Sequence, residues 1–200
     1  MESLLLFLSD FLMFLPETWS RLVSGYHQDF WPLQIFALLS GLWILWLVFH
    51  PSARSDRLIS TVLCASWSWV GAVFHFQYFS TISWAAWAFG GLFLLQAALF
   101  LVFGVMLNKI RYLPAPSMTR RVAVFIVLFA LLGWPAITAA VSGDPAQAGF
   151  FGLSADATSL ATIGFILFAR PVYRWLLLPL PLIWGLISIA LSWTMAAAAG

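Results

Sequence analysis

Few side chains in this 200-residue chain can do chemistry. Three histidines, seven acidic residues and one cysteine stand in a sequence that is 63% hydrophobic. His75 lies inside the apolar stretch VFHFQYFSTISWAAWAFG, from Val73 to Gly90. An imidazole there can serve as a base, a proton carrier or a metal ligand. Ionisable groups inside apolar segments are functional candidates by default. The competing reading is a neutral ring hydrogen-bonded to a neighbouring helix. Gln96, in the next apolar run, carries the same two readings.

A second group lies in LSADATSLATIG, from Leu153 to Gly164. It supplies Ser154, Asp156, Thr158, Ser159 and Thr162. A carboxylate among hydroxyls can hold an ion or pair with His75. The alternative is that Ser154 caps a helix and Asp156 complements its positive end. Together His75, Gln96, Asp156, Ser68, Tyr78, Thr158, Ser159 and Thr162 define a candidate polar pocket.

A third group is YHQDFWP, with His27 and Asp29. His27, Asp29, His75 and Asp156 offer the nitrogen and oxygen donors that a divalent metal takes. No two of them have the tight spacing of a strong metal motif. Asp29 can instead cap a helix ahead of Pro32, which has no N–H to satisfy. No nucleophile elbow, zinc-protease, Cys-x-x-Cys or dinucleotide pattern occurs, so no enzyme class is indicated and any cofactor stays unknown. Lone Cys64 excludes a disulfide framework.

The elements that must position these groups are membrane helices. Only 8% of residues are charged, against about a quarter in soluble domains, and the mean hydropathy is +0.99. A span needs about 20 apolar residues. Six runs approach that length: 31–49, 58–79, 83–107, 122–141, 153–169 and 173–195. Leu4–Leu15 is apolar but short and interrupted by Asp10, so an interfacial amino-terminal helix is expected. Glu2 stands where a signal peptide would be basic.

Charge sets the orientation. Arg54, Arg57, Lys109, Arg111, Arg120, Arg121, Arg170 and Arg174 occupy alternate loops. The positive-inside rule puts those loops in the cytoplasm and both termini outside. Trp19, Trp31, Trp84, Trp87 and Trp193 then fall at the outer interface, as an aromatic belt would. Trp67 and Trp69 lie deeper and require packing or a ligand wall. A net charge of +2, with no basic tail, gives no reason to expect nucleic acid.

Helical spacing puts Thr61, Cys64, Ser68, Gly71, His75 and Tyr78 on one stripe. Small and hydroxylic residues let helices approach closely, so this stripe should face protein. Ala86, Gly90, Ala97 and Gly104 form a matching row in the third run. The short connection between the second and third runs then makes an antiparallel hairpin, with His75 on its packed face near the outer end.

Several stretches together resemble the domain of unknown function 6064 family of small bacterial multi-pass membrane proteins. They are WPLQIFALLSG (Trp31–Gly41), FHFQYFSTISWAAWAFGGLFLLQAALF (Phe74–Phe100), FFGLSADATSLATIGFILFARPVYRW (Phe150–Trp175) and the region of Trp184–Gly185. The middle stretch is the most specific, through His75, Phe79, Gly90 and Gln96. Such proteins carry a Pro-Cys-Pro-Thr-Thr-like turn after Phe-Gly. Here Phe151-Gly152 is present, Ala155-Asp156-Ala157 replaces the turn, and Thr158-Ser159 remains. The resemblance implies a polytopic inner-membrane protein and no particular activity.

The sequence thus predicts one all-α domain over 1–200. It is a six-span transmembrane bundle (31–195) preceded by an interfacial segment (1–30), with both termini outside. The expected function is a non-enzymatic, outward-facing polar pocket for small solutes or metal ions. The alternative is an accessory subunit of a larger membrane complex. The lipid bilayer is the expected partner, with a membrane-protein partner or a second copy as further candidates.

Overall fold

The computed structural model describes residues 16–113 and 116–198, so the apolar stretch Leu4–Leu15 lies outside the described residues. Within them the chain is all-α. The one strand-like pairing is an isolated antiparallel bridge between Tyr112 and Ala169. Helix α1 (Pro16–Asp29) meets α2 (Leu33–Val48) at a bend of 81°. Helix α3 (Ala53–Trp69) starts at a capping box, in which the Ser52 hydroxyl accepts from the Ser55 N–H and Ser55 returns the bond. This arrangement satisfies donors that the first turn leaves free.

Helix α3 runs on as a π-helical segment, Val70–Tyr78, and a short 3-10 turn, Phe79–Thr81. Helix α4 (Ala85–Leu99) likewise continues as π-helix over Phe100–Met106. Helix α5 (Ser117–Leu128) passes through a π-helical Phe129–Gly133 into α6 (Trp134–Ser142). Helices α7 (Ala155–Ile166), α8 (Pro171–Leu177) and α9 (Pro179–Ala198) complete the fold.

Among the described residues three helices are long and apolar enough to cross a membrane: Arg54–Thr81, Ala85–Met106 and Ser117–Ser142. Counting the bent α1–α2 pair as one span makes four. The sequence expectation of six is therefore not met by length. Helix α7 has 12 residues, a rise of about 18 Å against a hydrocarbon core of about 30 Å. The sixth run is divided between α8 and α9 by Pro179, whose missing N–H interrupts the helical ladder.

The α3–α4 hairpin forms as the small-residue row predicts. Ala86, Gly90, Ala97 and Gly104 are all buried. A Cβ on Gly104 would strike the Ser60 side chain of α3, and one on Gly90 would strike the ring of Phe76. The partner stripe on α3 is only partly buried: Gly71 and His75 are enclosed, Cys64, Ser68 and Tyr78 are half-buried, and Thr61 is exposed. The α-helical period projected from Thr61 to Tyr78 fails because residues 70–78 are π-helical, with bonds to the fifth residue rather than the fourth. Exposed Thr61 satisfies its hydroxyl on the Arg57 carbonyl, 2.9 Å away.

The bundle has two chemically distinct ends. At one, Asp56 accepts from the Tyr112 N–H and from Arg111, each at 2.9 Å. Arg174 there donates to the carbonyls of Leu167 and Ala169, both at 2.8 Å, closing the carboxyl end of α7 where cations are favoured. This is the end that the sequence assigns to the cytoplasm. At the other, Ser24 donates to Asp144 at 2.7 Å and Tyr78 donates to Asp29 at 2.8 Å. Of the five expected belt tryptophans, Trp31, Trp84, Trp87 and Trp193 are exposed. Trp19 instead packs edge-on against Phe74 and Phe79. The deeper Trp67 and Trp69 are packing residues, with N–H bonds to Thr162 and Tyr26 respectively.

Candidate functional site

Asp156 is the centre of the candidate site. It lies in the first turn of α7, as expected. Its carboxylate Oδ1 accepts a 2.8 Å hydrogen bond from the indole Nε1 of Trp184 on α9. Close packing of α5 on α7 fixes the helix that carries it: a Cβ on Gly164 would lie 2.6 Å from Val127 and 3.1 Å from the Ala123 carbonyl.

Two cavities meet at Asp156. The larger holds about 380 Å³ and opens between α1, α6, α7 and α9, with His27, Ser154 and Gln147 in its walls. The smaller holds about 200 Å³ and includes Ser159, Pro181 and Ser188. Trp134, Asp156 and Trp184 line both. The larger volume falls at the lower end of the range for small-molecule pockets, about 300–1,000 Å³. Among the described residues no lysine or arginine lines either cavity.

Two hydroxyls beside Asp156 lack partners. Ser159 Oγ is buried and unbonded in the wall of the smaller cavity, and Ser154 Oγ is buried and unbonded in the wall of the larger. Ser154 has the extended backbone of a helix cap, but its hydroxyl makes no capping bond. The cap expected from the sequence is therefore absent. The backbone enters α7 through Gly152, at φ +78°, whose N–H donates to Thr158 Oγ1 at 2.9 Å. Thr158 is fully buried and lines neither cavity.

The rim of the larger cavity is tied by Asp144, which also accepts from the Ala146 N–H at 2.9 Å. The Ser24 hydroxyl and the Ala146 amide hold its carboxyl below the usual carboxylate range. His27 Nδ1 lies 2.8 Å from the Ala146 carbonyl, so this nitrogen carries the proton.

The other expected pocket residues go elsewhere. His75 is fully buried, and its Nδ1 bonds to the Val70 carbonyl of its own helix at 3.0 Å. It does not bond to a neighbouring helix. Phe74, Phe79, Phe89, Phe93 and Trp184 surround the ring, with Phe93 closest at 4.7 Å between centroids. Its Nε2 has no partner, and it lines neither cavity. Gln96 is fully buried and donates to the Leu177 carbonyl of α8 at 3.2 Å, an interhelical tie. Thr162 accepts from Trp67 and donates to the Thr158 carbonyl. Tyr78 is engaged with Asp29, and Ser68 lies half-buried on α3. Of the eight expected residues, Asp156 and Ser159 line cavities.

The four expected metal donors do not converge. His27 and Asp156 share the larger cavity, Asp29 is bonded to Tyr78, and His75 sits behind its aromatic shell. Among the described residues no group of three or more His, Cys, Asp or Glu side chains is placed to hold a metal. Trp134 and Trp184 are the site residues that sequence reasoning does not single out. The only signal for Trp184 is its place in the stretch that carries the family resemblance.

No curated protein and no solved structure matches the chain. The profile of a family of unknown function, DUF6064, matches residues 16–198, nearly the whole sequence. By that match the chain is a member of the DUF6064 family.

Proposed function

We propose that this protein is a multi-pass inner-membrane protein whose outer cleft binds a small polar solute without chemically transforming it. The observation that carries the reading is Asp156, a carboxylate at the junction of two cavities with no lysine or arginine among the described residues of either wall. Two unbonded serine hydroxyls beside it support the same reading, because buried polar groups are ordinarily paired. The basic loops gather at the opposite end of the bundle, which supports an outward-facing cleft. In this reading both termini lie outside, and α7, α8 and α9 form the short fifth and sixth embedded segments.

Cysteine labelling in intact cells tests it. In a Cys64→Ser background, Ser192→Cys, exposed in the wall of the larger cavity, should react with a membrane-impermeant maleimide. Arg57→Cys, exposed at the basic end, should react only after the membrane is opened. The reverse pattern, or a silent Ser192→Cys, overturns the reading.

The exposed tryptophans favour a second reading, an accessory subunit that packs against a larger complex. Trp31, Trp84, Trp87 and Trp193 are each more than 59% exposed, with Trp31 at 65% and Trp193 at 71%. Stoichiometric copurification of another membrane protein from native membrane, lost when Trp84 and Trp87 become leucine, would support it over a lipid-facing belt.

A further inference from the structure

The two cavities restrict what the solute can be. An anion would meet the Asp156 carboxylate and no lysine or arginine. A hard metal ion takes six or more oxygen ligands, whereas Asp156 is the one acidic residue in these walls among the described residues. A wholly apolar guest would leave Ser154 Oγ and Ser159 Oγ without partners and the carboxylate without a counter-charge. Each of those is unfavourable in a partly dry site.

An organic ammonium group answers all three features. Its charge compensates Asp156. Its N–H groups donate to the serine hydroxyls, which can accept. Its alkyl part lies against tryptophan, the aromatic side chain that attracts cations most strongly. The Trp184 N–H already fixes Oδ1 at 2.8 Å, which orients the carboxylate before any ligand arrives. Ser159 is 2% exposed, and its unbonded hydroxyl lies in the wall of the smaller cavity. This observation is independent of the helix end on which Asp156 sits.

We propose that the paired cavities bind the primary ammonium group of a small amine, with Asp156 as counter-charge, Ser154 and Ser159 as acceptors, and Trp134 and Trp184 as walls. The proposal rests on the reading of the cleft as an open binding site. Two sources share this chemistry: a free amine from the outer compartment, or an amine-bearing lipid headgroup.

The test uses the full chain in phosphatidylcholine nanodiscs, titrated calorimetrically with n-butylammonium and with n-butanol as its uncharged counterpart. Butylammonium should bind about tenfold or more tightly than butanol, a ratio within the range of a partly desolvated cation on tryptophan. Tetramethylammonium, which has no N–H, should bind more weakly than butylammonium. Asp156→Asn should weaken butylammonium by about tenfold or more, and Trp134→Leu by about fivefold. Equal binding of amine and alcohol, no binding of either, or wild-type affinity in Asp156→Asn overturns the proposal. If Asp156→Asn fails to fold, the wild-type amine-to-alcohol ratio and Trp134→Leu still decide.

Repeating the titration in phosphatidylethanolamine nanodiscs separates the sources. Weaker butylammonium binding there assigns the site to the lipid headgroup, and unchanged binding assigns it to free amines. Labelling of Ser192→Cys distinguishes the two levels of failure. An accessible cleft that ignores amines sinks this proposal alone, and an inaccessible one sinks the outward-facing cleft with it.

Discussion

Trp184 and Asp156 are joined by a single hydrogen bond of 2.8 Å, from the indole N–H to Oδ1, across the contact between α9 and α7. The same indole ring stands edge-on to His75, 5.2 Å between centroids. One tryptophan therefore closes the cleft on one side and the aromatic interior on the other.

The two partners of that bond should respond differently to substitution. Asp156→Asn keeps an oxygen that can accept from Trp184, so its cost to stability should stay under about 1 kcal/mol. Trp184→Phe removes the donor and part of the ring, and should cost about 1–3 kcal/mol. Reversible denaturation of both variants in mild detergent gives the order. If Asp156→Asn is the more damaging, the carboxylate's charge has a structural role in the empty protein.

His75 presents a different balance. Its ring fills a space among five aromatic side chains, while its Nε2 is unbonded. His75→Phe keeps a ring there and removes the orphan nitrogen, so its melting midpoint should fall close to wild type. His75→Ala leaves a cavity and should cost about 2–5 kcal/mol. A His75→Phe protein that loses as much as His75→Ala would show that the imidazole nitrogens, not the ring's shape, are needed.

Two glycines make a paired test of packing. Gly164 faces Val127 and the Ala123 carbonyl at contact distance, whereas a Cβ on Gly185 meets nothing within 4 Å. Gly164→Ala should destabilise the protein by about 1–3 kcal/mol, because α7 and α5 must separate. Gly185→Ala in α9 should be neutral or stabilising by up to about 1 kcal/mol, since alanine favours the helix. Equal effects would mean that α5 and α7 are not in the close contact described.

Asp144 makes the rim of the cleft pH-sensitive. Its carboxyl is held below the usual range by the Ser24 hydroxyl and the Ala146 amide. A depressed carboxyl contributes its tether above the unfolded-state pKa of about 3.9. The tether weakens as pH falls through the lower folded-state value. Protection of the α1 amides, taken relative to their intrinsic exchange rate at each pH, should therefore be flat from neutrality to about pH 4 and fall below it. Asp144→Ala should show the lower protection already at neutral pH. A mutant with wild-type protection at pH 7 would show that α1 is held by other contacts alone.

The hairpin of α3 and α4 is legible in the sequence because small residues at helical spacing mean one thing in an apolar segment: another backbone is near. Ala86, Gly90, Ala97 and Gly104 satisfy that rule, and all four are buried. Trp134 and Trp184 are not legible as site residues, because a tryptophan that faces lipid and one that faces a cleft look alike in an apolar run. The bond from Trp184 to Asp156 joins residues 28 apart in different helices, which no local pattern encodes. The count of six apolar runs exceeds the three or four helices long enough to span, for a related reason. Hydropathy measures apolar content and not straight length, and α7 is apolar because protein surrounds it: Ala157, Ala161, Phe165 and Ile166 are each fully buried. His75 shows the limit from the other side. Its burial follows from its stripe, but its bond to Val70 depends on a π-helical turn that the helical period does not reveal.

That π-helical turn also bears on how the chain's length can change. Deleting one residue from an ordinary α-helix swings every later side chain by about 100°, and a packed bundle does not tolerate that. Between Val70 and Tyr78 each hydrogen-bonded ring already holds one residue more than an α-turn needs. Loss of a residue such as Ala72 lets the segment relax to α-helix, with Phe79 and the turn after it still in phase with α4. The same holds for Phe100–Met106 and Phe129–Gly133. These three segments are where one-residue deletions among relatives should concentrate, and elsewhere in the long helices the spacing should be fixed.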